Sequence, residues 1–222
     1  NHPVNTDEAV AFMSQFGELT RNDRREDAIL KLDASKKDEG EVLLGEGFMP
    51  LHRDGALMGN SIEFVGIFCV SLGKIKGGRT FISDIESATR KVPKEIIELI
   101  KSNGVEARPV DKYYTSAADV WHNIPGFIKV NGKEFLNVGF PYLPGEKASW
   151  LVRIPGISEE KSQEAFEVMR KIMMDETYCY YHQWQQPGDL LLLDNLRTLH
   201  GREAFEGQRN LANIQVLQKR AS

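Results

Sequence analysis

The chain has 222 residues, enough for one well-buried domain and too few for two of ordinary size. Apolar residues make up 41% and charged residues 27%, a composition that folds rather than stays disordered. A net charge of -4 gives no electrostatic reason to expect nucleic acid or an anionic membrane, and no apolar run approaches the ~20 residues that span a bilayer.

The sequence opens at Asn1 without a methionine, as the middle of a longer protein would, and shows no signal peptide. From Thr6 to Phe16, Ala9, Phe12, Met13 and Phe16 recur at helical spacing, with Asn5, Thr6 or Asp7 available as cap. Residues 21–40 are charged and aperiodic, which predicts an exposed or mobile loop. Ser61 to Leu72 is continuously apolar and rich in β-branched and aromatic residues, a buried strand. After the Gly77-Gly78 turn, Arg79 to Ile82 predicts a short second strand. Pro93 to Lys101 predicts a helix with proline in its first turn and Asn103-Gly104 at its end. Asn131-Gly132 signals a tight hairpin, and further strands are predicted at 134–140, 148–154 and 178–184. The clearest helix runs from Ser158 to Met174, with Ala165, Phe166, Met169, Ile172 and Met173 on one face. Pro187-Gly188 then turns the chain into Asp189 to Asp194, read as a buried strand, and the last strand is predicted at 209–217. Many short strands with two or three helices predict a mainly β fold with flanking helices, and a double-sheet jelly-roll is the preferred version.

Cys69 and Cys179 are the only cysteines, and Cys69 lies in the apolar run 64–70, where a thiol acts as a small hydrophobe. Neither has a CxxC neighbour, so zinc and redox roles are set aside; a reducing, cytoplasmic setting fits.

The chemistry starts at His52-Arg53-Asp54-Gly55. In an extended segment residues two apart share a face, so an imidazole and a carboxylate can meet one ion. Alone the triplet is weak. A third ligand is suggested by His200, in Leu199-His200-Gly201-Arg202 beyond the apolar run 190–193. Two histidines and one carboxylate leave three coordination positions open, the arrangement of non-haem iron(II) oxygenases; zinc more often takes four protein ligands, or three and water. Arg209 supplies what a buried dicarboxylate would require at its far end, a planar bidentate cation, and the Thr80 hydroxyl could assist it, although Thr80 reads equally as an ordinary strand threonine. His122 and His182 lack a carboxylate two residues away and read as surface or packing residues.

Together HRDG at 52–55, GGRT at 77–80, GDLLLLDN…LHGR at 188–202 and the RNLAN segment from Arg209 resemble the taurine dioxygenase-like superfamily. Ala148-Ser149-Trp150 and Tyr180 to Trp184 lean towards its carbapenem synthase branch. The resemblance covers about Phe48 to Gln215. It implies a single cupin-like, double-stranded β-helix domain over 1–222, lacking an N-terminal helix and strand that relatives carry. It implies iron(II) on His52, Asp54 and His200, and 2-oxoglutarate held by Arg209 and Thr80, with O2 as second cosubstrate. It also implies oxidation of a C–H bond of a small molecule in a biosynthetic pathway, by hydroxylation, desaturation, epimerisation or cyclisation, with release of succinate and CO2. Asp54 argues against halogenation, since halogenases keep a small residue there. Substrate contacts fall at Trp150, Tyr114, Asn213 and Gln215, each of which reads also as packing; Arg202 would organise its loop. Many relatives carry an arginine where this chain has Asn213, so a sulfonate substrate does not follow. A divalent-metal hydrolase using the same triad, which leaves Arg209 without a purpose, and a non-catalytic binding protein are the alternatives. A homo-oligomer is possible.

Overall fold

The computed structural model describes residues 5–20, 28–33, 45–56, 62–110 and 120–217. Among these, two four-stranded antiparallel sheets form the centre. The first runs in the order β1 (Ile29–Asp33), β13 (Phe205–Leu217), β3 (Ile62–Gly77), β11 (Leu190–Asp194). The second runs β10 (Cys179–His182), β4 (Thr80–Asp84), β12 (Thr198–Arg202), β2 (Met49–His52). A smaller sheet, β6 (His122–Ile124), β5 (Val105–Pro109) and β9 (Trp150–Arg153), and the hairpin β7 (Phe127–Val130) and β8 (Lys133–Leu136), lie beside them. This is the mainly β, jelly-roll architecture expected from the run of short strands.

Side-chain alternation along β13 decides what each face of the first sheet does. Ala212, Ile214 and Val216 pack with Ala9 and Met13 of α1 (Thr6–Ser14), which covers the outside. Arg209, Leu211, Asn213 and Gln215 alternate with them and take the opposite face, where Leu211 joins Val65, Ile67, Cys69 and Trp184. The second sheet divides the same way. Phe81, Leu199 and Cys179 face α4 (Glu159–Met173), whose Phe166, Met169 and Met173 are buried against them. Thr80, Ile82, His200 and Arg202 take the alternate positions and face inward. An inner face that mixes polar side chains with the apolar cluster around Leu211 is therefore enclosed by two apolar outer layers.

Local chemistry explains several elements. Asn5 caps α1 by accepting from the Asp7 N–H, and Ser158 caps α4 by accepting from Lys161. Asn131 and Gly132, at φ 50 and 80, make the two-residue turn between β7 and β8. Asp84 caps the short α2 (Ile85–Thr89), and α3 (Lys94–Asn103) ends where the Gly104 N–H returns to Ile100.

Two expectations need correction. Part of the expected loop at 21–40 is strand β1, paired residue for residue with β13 from Ile29↔Ile214 to Asp33↔Asn210; residues 21–27 and 34–40 lie outside the described residues. The leucine run of β11 is not buried throughout. It forms the sheet edge, with Leu193 buried and Leu192 39% exposed, because one flank has no neighbouring strand and only one face meets the core. His200 lies just beyond the turn that follows β11, as the apolar run suggested, and the structure places it in the middle of β12, between β4 and β2.

Candidate metal centre

His52 is the last residue of β2, and Asp54 lies in the turn after it, which Gly55 closes at φ 81. The pair therefore converges through a strand end and a turn, not through the continuous strand that the spacing suggested. His200 faces His52 across the β12–β2 ladder, with ring centroids 4.4 Å apart. Asp54 Oδ1 is 3.4 Å from His52 Nε2 and 3.7 Å from His200 Nε2. One ligand atom from each residue lies within 4.8 Å of the others, and the described residues hold no other such group; His122 and His182 are outside it.

The hydrogen bonds show what this cluster lacks. The Pro50 carbonyl can only accept, so at 2.9 Å it takes the Nδ1 proton of His52 and leaves Nε2 with its lone pair turned to Asp54. Burial and the neighbouring His52 push the His200 imidazole down to about 4, against the pull of Asp54, so it is neutral at pH 7. Burial alone would raise the Asp54 carboxyl; the two histidines and the Asn213 amide outweigh it and hold the carboxyl well below the usual range. A ring nitrogen from each histidine and an anionic oxygen therefore converge on one space. A divalent cation fits that space and satisfies all three. Nothing among the described residues fixes the His200 tautomer, since its Nδ1 is buried without a hydrogen-bond partner there.

Amides hold Asp54 from three directions, two at its carboxylate and one at its backbone. Asp54 Oδ2 accepts from Asn213 Nδ2 at 3.1 Å and from Gln215 Nε2 at 2.6 Å, which links the turn after β2 to the opposite sheet. Asn195, fully buried after β11, accepts from the Asp54 N–H at 3.1 Å and donates to the carbonyls of Asp54 and Ile62 at 3.0 and 2.9 Å. Sequence reasoning quoted Asn195 within a motif and gave it no role. The available signal was a lone amide closing a run of four leucines.

The other expected site residues are placed as follows. Arg209 is buried, stands over the Phe205 ring at 4.2 Å, and donates from Nη1 to the Gly78 carbonyl at 2.8 Å. Burial and the nearby Arg202 push its guanidinium down to about 9; no carboxylate pairs with it among the described residues. Gly78 is required here: at φ 74 a Cβ would lie 2.8 Å from Phe205 Cβ and 3.4 Å from Arg209 Nη1. Thr80 is two residues further on and accepts from Trp184 Nε1 at 3.2 Å. Arg202 donates to the carbonyls of Gly45 and Gly47, both at 2.8 Å, tying down the segment that enters β2. Trp150 donates Nε1 to Phe140 at 3.0 Å, and its ring packs between His52 and Tyr142. Its polar atom is thus committed to the protein. Tyr114 lies outside the described residues.

With this geometry in hand, comparison with known proteins gives a consistent picture. Residues 1–215 match the family model described as taurine catabolism dioxygenase TauD, TfdA family. A tyrosine isonitrile desaturase from Erwinia amylovora is 28% identical over 212 residues, covering 92% of this chain and 70% of that protein. A protein of the same name from Pseudomonas aeruginosa is 29% identical over 199 residues, covering 85% and 66% respectively. The chain thus spans about two thirds of the length of these relatives. The solved structure of PvcB, described as an Fe, alpha-ketoglutarate dependent oxygenase from an isonitrile synthetic pathway, superposes with a TM-score of 0.68 at 25% identity, covering 96% of this chain and 71% of the other. These relatives are named for isonitrile pathways, and none of them is a carbapenem synthase, the branch that residues 148–150 and 180–184 suggested.

Proposed function

We propose that this chain, which belongs to the taurine catabolism dioxygenase TauD, TfdA family, is an iron(II)- and 2-oxoglutarate-dependent oxygenase acting on a small molecule in a biosynthetic pathway. One observation carries the reading. In a member of this family, His52 Nε2, Asp54 Oδ1 and His200 Nε2 converge between two sheets. Together with 2-oxoglutarate and O2, bound iron(II) would supply the oxidising power to take hydrogen from a C–H bond, with succinate and CO2 as co-products.

The chain's own groups do the positioning. His52 and His200 present ring nitrogens, and Asp54 presents one anionic oxygen. Arg209 offers a buried cation to the distal carboxylate of 2-oxoglutarate, where low polarity strengthens the pairing. Thr80 adds a hydroxyl near the same end, oriented by Trp184. Trp150 packs against the His52 ring, and Tyr142 packs in turn against Trp150.

The finer reading is desaturation of an isonitrile-bearing small molecule derived from an amino acid. Its support is the activity named for the Erwinia and Pseudomonas relatives. Desaturation would take two hydrogens from adjacent carbons of the substrate; one 2-oxoglutarate and one O2 would leave as succinate, CO2 and water.

Anaerobic addition of iron(II) and 2-oxoglutarate is expected to produce the weak visible metal-to-ligand charge-transfer band of a chelated keto acid. Folded, iron-loaded protein without that band would refute the cosubstrate assignment. His52→Ala and Asp54→Ala should reduce substrate-dependent succinate formation to background, and Arg209→Ala should weaken 2-oxoglutarate binding by about tenfold or more, the loss of a charge-assisted pair. Unchanged turnover in the first two would remove the triad from the mechanism. Turnover of a saturated tyrosine-derived isonitrile, followed by mass loss of two hydrogens, tests the finer reading.

A further inference from the structure

Asp54 has two carboxylate oxygens in different surroundings. Oδ1 faces His52 Nε2 at 3.4 Å and His200 Nε2 at 3.7 Å. Oδ2 turns to β13, accepting from Asn213 Nδ2 at 3.1 Å and Gln215 Nε2 at 2.6 Å. A carboxylate oxygen has about two lone-pair sites, so the two amides fill Oδ2. Both amides come from one rigid element. Residues 213 and 215 are two apart on β13 and share its inner face. That strand is paired on both sides, Asn213 lying opposite Leu30 of β1 and Ile67 of β3. Asn195 meanwhile grips the N–H and C=O of Asp54. The carboxylate therefore cannot rotate to bring Oδ2 inward without breaking a contact whose donor is unable to follow.

We propose that Asn213 and Gln215 are positioning residues that restrict Asp54 to one-oxygen ligation and so keep a coordination position free. The inference rests on the iron(II)- and 2-oxoglutarate-dependent reading above. Three protein atoms leave three positions on a six-coordinate ion, of which a keto acid bound through two oxygens takes two. A chelating Asp54 would occupy the last one. The two amides prevent this by hydrogen bonding alone, with no charge added beside the metal.

The test uses Asn213→Leu and Gln215→Met, which keep the size of each side chain and remove its donor. Manganese(II) affinity of the apoprotein and 2-oxoglutarate affinity of the manganese-loaded protein are measured by calorimetry. The change in carboxylate infrared bands on adding manganese reports one- or two-oxygen ligation through the separation of the antisymmetric and symmetric stretches. Each variant is expected to lose 2-oxoglutarate affinity by about tenfold, with manganese affinity changed by less and the band separation narrowed as in a chelate. If either variant fails to fold, Asn213→Ala or Gln215→Ala removes the donor without adding charge and is read the same way. Loss of both affinities in parallel, as a merely structural role would give, or an unchanged band separation with unchanged 2-oxoglutarate affinity, overturns the inference. Wild-type protein that binds neither manganese nor 2-oxoglutarate sinks the oxygenase reading along with it; wild type that binds both, with variants that behave identically, sinks this inference alone.

Discussion

The three ligand side chains take their positions from neighbours that never touch the metal space. Pro50 sets the His52 tautomer, Trp150 packs its ring, and Asn195 clamps the Asp54 backbone from 141 residues away. Asn195→Ala would strand the N–H and C=O of Asp54 and the C=O of Ile62 in a buried site. Unpaired buried groups cost about 1–3 kcal/mol each and water can relieve part of that, so an overall loss of about 3 kcal/mol is expected from denaturant unfolding. Metal affinity should fall by about tenfold in the same variant. A stability change below about 1 kcal/mol with unaltered metal affinity would show that Asn195 only fills space. Residues such as Arg209 were legible in the sequence because a cation on a buried strand is anomalous by itself. Asn195 was not, since an asparagine after a strand is ordinary until its distant partner is known.

Among the elements, β12 is the most constrained, because it carries His200 and runs between β4 and β2. Gly201 lies where a Cβ would meet Phe81 Cε2 at 2.2 Å and the Met49 carbonyl at 2.5 Å. The carbonyl belongs to a paired strand and cannot withdraw, so Gly201→Ala should cost about 1–3 kcal/mol and disturb the His52–His200 register. Gly66 makes a useful contrast. Its added Cβ would meet Met13 Sδ at 2.6 Å, the far end of a flexible side chain on α1. Gly66→Ala should therefore cost less than Gly201→Ala and leave metal binding intact; the reverse order in thermal or denaturant melts would contradict this account. Strong periodicity made α1, α4, β3 and β13 readable, and turn chemistry did the same for the β7–β8 hairpin. The short β1 was hidden because its residues Ile29-Leu30-Lys31-Leu32-Asp33 sit within a charged stretch, and its strand character comes from pairing with β13.

For the molecule as a whole, the two thiols report how well the sheets are sealed. Cys69 is fully buried and Cys179 is 5% exposed; burial pushes both thiols up to about 11 from an ordinary 9.0. The folded state thus favours the protonated form. This contribution to stability is fully present below pH 9 and is lost as pH rises through about 11. Urea midpoints should fall across that window, and both thiols should resist alkylation at pH 8 until the protein unfolds. Rapid modification of native protein, or midpoints that stay level from pH 8 to 11, would disprove it. No helix among the described residues is long and apolar enough to cross a membrane. By itself the sequence determined the fold class and singled out His52, Asp54, His200 and the buried Arg209, because residue type and local periodicity carry those signals. Only the tertiary structure decided what Asn213 and Gln215 do. Their spacing puts them on the inner face of β13, but whether that face meets a substrate or the Asp54 carboxylate depends on how the opposite sheet is set against it, a relation between strands far apart in the chain that no local pattern encodes.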